Sequence, residues 1–310
     1  MRCHVGRYIA VVVVSIAAAT AAYGEGPVRT PVPHWQSLAG QAKICGHPTP
    51  RTYDIEMGEV ALDLGQGLKT TAWTFNGTIP GPILEACVGD TVTLNVTNKG
   101  TMAHGLDTHA FRIDAAKFGP INQGETRAIK GTVKTPGVFM YHCANGEMTD
   151  QHIKMGMAGL MIVYPRTPVL PPARELAVIR NGVYGTASDT GVIQSDSKAM
   201  ERNTPSFFLF NGFLAHEPIH VRAGERVRVY FVNAGPGVAA FHVIGTILDT
   251  VRISGNPANT LTGVQTWEVG AGNGASIDFT IPEAGKFLLV DHDQLAHLVD
   301  GFVIPFVAGN

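Results

Sequence analysis

Self-repetition constrains this chain more than any other feature of its sequence. Residues 75–98, FNGTIPGPILEACVGDTVTLNVTN, align without a gap on residues 210–233, FNGFLAHEPIHVRAGERVRVYFVN. Both segments open on Phe-Asn-Gly, reach Gly-Asp or Gly-Glu at the same offset, continue with alternating apolar residues and close on Asn. A second echo pairs PGVFMYHC (136–143) with AGKFLLVDH (284–292), each a glycine turn leading into an apolar run. One folding unit used twice accounts for both matches. Alternation such as Thr91-Val92-Thr93-Leu94-Asn95-Val96 marks strands with one buried face, and 36 Gly and 19 Pro in 310 residues suit short strands joined by many turns. The expectation is an all-β chain of two tandem Greek-key β-sandwich domains. The segment YPRTPVLPPAR (164–174) is too rich in proline to continue a central strand and serves as the linker, which places domain 1 at 40–165 and domain 2 at 174–310.

The first residues, MRCHVGRYIAVVVVSIAAATAAYGEG, have two arginines, an apolar run from Tyr8 to Ala22 and small residues after it. That is the layout of a secretory signal peptide over 1–24; the apolar core is short for a membrane span, so an exported, periplasmic chain with no span after signal removal is expected. The formal net charge of −2 becomes −4 without residues 1–24, which hold Arg2 and Arg7 and no acid, and nothing in it suggests nucleic acid. Cys3 leaves with the signal. In an oxidising compartment Cys45 and Cys87 could form a disulfide or stand as two buried thiols, while Cys143 is reserved for metal.

Chemistry concentrates in YHCANGEMTDQHIKMGM, residues 141–157. Cys143, His152 nine residues on and Met157 five beyond that are three of the four ligand types of a blue-copper site. The missing histidine should come from MAHGLDTHAF (102–111), which offers His104 and His109. In an extended segment these two point in opposite directions, so only one can face the thiolate. The same alternation separates His142 from Cys143: if Cys143 faces the interior, His142 faces outward. Two outward histidines on adjoining strands make most of a second metal site, and Asp107, two residues from His109, brings a carboxylate to the same face. Isolated histidines such as His34, His47, His216, His220 and His297 are read as surface or structural groups.

At this point the sequence resembles the copper-containing nitrite reductases, and the resemblance covers nearly the whole mature chain. It implies two cupredoxin-like domains with a type 1 copper for electron entry and a type 2 copper for catalysis. It implies type 1 ligands His104, Cys143, His152 and Met157, and type 2 ligands His109, His142 and, from a neighbouring subunit of a homotrimer, His292 in LLVDHDQLAH. FHVIG (241–245) resembles the family segment carrying a catalytic histidine and a capping isoleucine, here His242 and Ile244, and Thr266 in VQTWEV matches the residue that hydrogen-bonds that histidine. Gln265 stands where many relatives have glutamate, and Gln151 replaces a frequent tryptophan.

The resemblance implies one-electron reduction of nitrite to nitric oxide, of the kind used in denitrification. Electrons would come from a small redox protein, a cupredoxin or a cytochrome c, and pass along the Cys143–His142 link; Asp107 and His242 would handle protons. One rival is a two-domain, laccase-like multicopper oxidase, whose cluster needs His-x-His pairs that are absent from this sequence. The other is a non-catalytic blue-copper electron carrier, which would need none of His142, Asp107, His242 or His292.

Overall fold

A computed structural model describes residues 37–310; the expected signal peptide over 1–24 and His34 lie outside the described residues. The chain is a succession of strands with a few short helices, arranged in four sheets. In the first half, Pro50–Gly65 pairs antiparallel with Leu68–Phe75 and parallel with Thr91–Asn98, which in turn pairs antiparallel with Thr126–Thr132. Facing them is a four-stranded sheet of Leu84–Cys87, Ala158–Tyr164, Gly137–His142 and Asp107–Thr108, in that order. The alternation expected of Thr91–Asn98 is seen directly: Val92, Leu94, Val96 and Asn98 are buried and the residues between them are half-buried. Ile55, Leu94, Val96, Ile129, Tyr141 and Met161 close the space between the two sheets. The second half repeats the plan. Arg174–Val183, Arg226–Asn233 and Gly274–Thr280 form the centre of one sheet, and Gly285–Asp291, flanked by Ala239–Ile244 and Ile304–Gly309, the centre of the other.

The repeat seen in the sequence corresponds to repeated backbone geometry. Asn76-Gly77 and Asn211-Gly212 occupy left-handed conformations, with φ of 55°, 74°, 49° and 81°, and each pair turns the chain after its strand. Asn and Gly enter that region at least cost, which is why Phe-Asn-Gly recurs. The closing asparagines are braces. Buried Asn98 donates to the carbonyls of Met102 and Ile121 and accepts from the Gly100 amide; buried Asn233 donates to Gly237 and Val269 and accepts from the Gly235 amide. A buried amide with all these partners satisfies polar backbone that the sheets leave unpaired.

Strand Ala158–Tyr164 is buried at every position because it packs on both sides. One face joins the first core through Met161 and Val163, and the other puts Leu160 and Ile162 against Ala177, Ile179, Tyr230 and Val232 of the second half. Cys45 and Cys87 are joined in a disulfide, pinning the segment before the first strand to Leu84–Cys87. Asp90 tightens the same corner. Its fully buried carboxylate pairs with Arg51 and Arg166 and accepts from the amides of Thr49 and Cys87. Among the described residues no helix is long and apolar enough to cross a membrane.

Candidate metal centres

Strand Gly137–His142 lies between Ala158–Tyr164 and Asp107–Thr108, and its C-terminal end places His142 and Cys143 next to each other. They face opposite ways, as a pleated backbone requires. Cys143 is fully buried, together with His104, His152 and Met157. His104 comes from the loop bridged to Ile121, and His152 from the helix Thr149–Lys154. Met157 is fixed by its own backbone, donating to the His152 carbonyl and accepting from the Cys143 amide. The Nδ1 atoms of His104 and His152 lie 3.0 Å apart, and Cys143 Sγ is 3.9 Å from the first and 3.2 Å from the second.

What surrounds these groups orients them. His104 Nε2 donates to Glu59 Oε1 at 3.4 Å, leaving Nδ1 as the acceptor on the side of His152 and Cys143. The Asn145 amide lies 3.2 Å from His152 Nε2, and the Trp73 ring stands edge-on to His152 with centroids 4.4 Å apart. Burial pushes the Cys143 thiol up to about 12 against the opposing amides of Gly105 and Ala144. Burial takes His152 down to about 4, reinforced by His104 and opposed by Glu59. Burial also raises Glu59, but hydrogen bonds from His104 and Thr101 outweigh it and hold that carboxyl at about 2. The pocket therefore keeps the His152 imidazole neutral beside a thiol that ionises when a cation replaces its proton. That donor set fits a soft transition metal.

On the other face, His109 Nε2 and His142 Nε2 are 3.1 Å apart with rings at 83°. Asp107 pairs in register with His142, and the ligand atoms of Asp107, His109 and His142 all lie within 4.8 Å of one another. His142 Nδ1 donates to the Cys143 carbonyl at 2.8 Å, so its lone pair is on Nε2. His109 hydrogen-bonds the backbone of Gly272, a residue of the second half; its pKa is lowered by burial and by His142, against the opposing influence of Asp107 and Gly272. Two imidazole nitrogens presented with their lone pairs at a half-open surface fit a metal with vacant positions.

His242 and His292 come together elsewhere, with ring centroids 5.7 Å apart. His242 lies on Ala239–Ile244, with exposed Ile244 on the same face. Its Nδ1 donates to the Gln265 carbonyl at 2.7 Å and lies 3.3 Å from the Thr266 hydroxyl. His292 follows buried Asp291, whose Oδ1 accepts from the Ala240 and Asp293 amides and whose Oδ2 lies 3.0 Å from Arg180 Nε. One carboxylate thus ties the strand bearing His242 to the turn bearing His292.

The structure brings His104, Cys143 and His152 together, with Met157 in the same core, and separately gathers Asp107, His109 and His142; within the chain His292 joins His242 and neither of those sets. Glu59, Trp73, Asn145 and Gly272 also contact the candidate ligands, and the sequence did not single them out. Glu59 and Trp73 are register partners on neighbouring strands. Only Asn145, between Cys143 and His152, had a local cue.

Residues 55–168 match the multicopper oxidase family. The copper-containing nitrite reductase of Neisseria gonorrhoeae is 30% identical over 259 residues, which are 79% of this chain and 65% of that protein, so the chain spans about two thirds of its length. That of Alcaligenes xylosoxydans xylosoxydans is 28% identical over 290 residues, covering 85% of this chain and 86% of the relative. A solved copper nitrite reductase from Nitrosomonas europaea superposes with a TM-score of 0.77 at 34% identity, over 84% of this chain and 94% of that one. A solved multicopper oxidase, at 24% identity and a TM-score of 0.73, shares the fold. By its motifs, its duplicated sandwich and its likeness to the Nitrosomonas structure along nearly that chain's whole length, this chain belongs to the family of copper-containing nitrite reductases.

Proposed function

We propose that this chain reduces nitrite to nitric oxide using two copper ions per subunit. The supporting observation is the placement of two ligand sets on opposite faces of one strand end, joined by the Cys143–His142 peptide link. His104, Cys143, His152 and Met157 hold the type 1 ion. His109 and His142, completed by His292 of a neighbouring subunit in a homotrimer, hold the type 2 ion. Copper, when bound, supplies one-electron redox chemistry and, at the three-histidine site, an open position for an anion.

The reaction consumes one electron and two protons and releases water, so the protein must supply two protons next to the anion. With His242 Nδ1 committed to the Gln265 carbonyl, Nε2 is the atom free to hold and release one. Asp107, on the His109 face, holds the other. Because His242 and His292 stand together, the subunit that lends one lends both. Ile244, exposed two residues along, gives that face an apolar edge that restricts the anion's approach. Thr266 keeps the imidazole oriented. The domains divide as 40–165, carrying the type 1 set and part of the type 2 set, and 174–310, carrying His242 and His292. The apolar leader fits export to the periplasm, where a cupredoxin or cytochrome c would donate electrons for denitrification.

The test is copper content per mature chain together with nitric oxide release from nitrite and a reduced viologen. Two coppers per chain, with release abolished by His292→Ala while the blue colour persists, is the expected result. One copper and no nitric oxide after full loading would leave a blue electron carrier and refute the enzyme.

A further inference from the structure

We propose that Glu59 is a positioning residue that sets the reduction potential of the type 1 ion by holding a carboxylate against the far nitrogen of His104. This rests on the type 1 reading above and deepens it. Glu59 lies on Pro50–Gly65, 45 residues upstream of the histidine it meets. Its carboxylate is fixed in place: both oxygens accept from the Thr101 amide at 3.1 Å, Oε1 accepts from the Thr101 hydroxyl at 3.2 Å, and the side chain is 8% exposed. The approach exists because position 100 is bare. A Cβ on Gly100 would stand 2.9 Å from both carboxylate oxygens and 3.0 Å from His104 Nε2.

The physics fixes the sign. A carboxylate hydrogen-bonded to a ligand imidazole makes that imidazole a better donor and puts negative charge near the metal, and both favour the cupric over the cuprous ion. The potential is thereby lowered. Losing such a partner typically changes metal affinity 10–100-fold, and a tenfold loss confined to the cupric state corresponds to a rise of about 59 mV.

The experiment is a spectroelectrochemical titration of the blue band in the copper-loaded full chain. Glu59→Gln keeps the shape and removes the charge, and a tenfold shift toward the cuprous state is expected. Gly100→Ala keeps the charge and displaces it, and a smaller shift of the same sign is expected; it also decides the matter if Glu59→Gln does not fold. Glu56→Gln removes an exposed acid from the same strand and should leave the potential where it was. Parent potentials in both variants with the blue band intact, a fall in potential, or an equal shift in Glu56→Gln would overturn the proposal. A parent chain that never turns blue on copper loading would instead remove the type 1 reading itself, so the two failures are distinguishable.

Discussion

Gly105→Ala is the sharpest small perturbation of the buried ligand set. Gly105 follows His104 and its amide donates to Cys143 Sγ at 3.4 Å. Its φ lies outside the left-handed range, so alanine meets no backbone objection and only space is at issue. The added Cβ would lie 2.2 Å from the Ala144 carbonyl oxygen and 2.9 Å from that of Phe118, where real Cβ atoms keep at least 3.0 Å. Both obstacles are backbone, so relief requires the 104–105 and 143–144 segments to part by roughly 1 Å, at an overpacking cost of about 1–3 kcal/mol. Those segments carry His104 and Cys143, so the displacement falls on the ligands themselves. Ligand sets tolerate about 0.5 Å, so copper affinity should fall about 10–100-fold. Copper titration against a competing chelator, followed at the blue band, measures the affinity, and urea unfolding of the metal-free chain measures the stability. Gly46→Ala, where nothing lies within 4 Å, is the silent control. Parent affinity and parent stability in Gly105→Ala would refute the close-approach reasoning.

Gly272→Ala places a side chain at φ +76° in the turn that hydrogen-bonds His109, at a cost of about 1–2 kcal/mol; elemental analysis should show loss of the type 2 copper while the blue band persists. Asp90→Asn leaves Arg51 and Arg166 without their shared anion and should cost about 3 kcal/mol at neutral pH. Burial raises the Asp90 carboxyl, but the Thr49 and Cys87 amides and Arg51 hold it below its ordinary 3.8. Its stabilisation is therefore complete above about pH 4 and disappears as pH falls through the lowered value; a gap between parent and variant that persists in strong acid would contradict this. Replacing Cys45 and Cys87 by serine opens a loop of 42 residues and should cost about 4 kcal/mol in the urea midpoint analysis, with copper binding unchanged.

The sequence revealed those features whose physics is local. Two-residue alternation exposed the strands and put His142 opposite Cys143 and His242 beside Ile244, because a pleat couples sequence parity to face; Asp107 and His109 also come together, but through the turn that follows the two-residue strand Asp107–Thr108. The repeated Phe-Asn-Gly was legible because left-handed turns select asparagine and glycine. Glu59 against His104, Trp73 against His152 and Gly272 against His109 were invisible, because the tertiary fold brings loop, helix and turn residues together across long separations and none of these residue types announces it. Gln265 shows a subtler limit. The sequence drew attention to its side chain, whereas the structure uses its backbone carbonyl, which any residue could supply. The cysteine pairing was left open by spacing alone; the 5.5 Å between the Cα atoms of Cys45 and Cys87 is a product of the fold.

Duplication usually suggests modules that can be separated. Here the wall between the halves argues otherwise: cutting the chain after Tyr164 would present Val138, Met140, Leu160 and Ile162 to water as one continuous apolar sheet face. The first half holds every candidate type 1 ligand, yet it would be a sticky and aggregation-prone fragment. The repeat is legible as a pattern in the sequence, while the apolar face shared between the halves makes each the cover of the other.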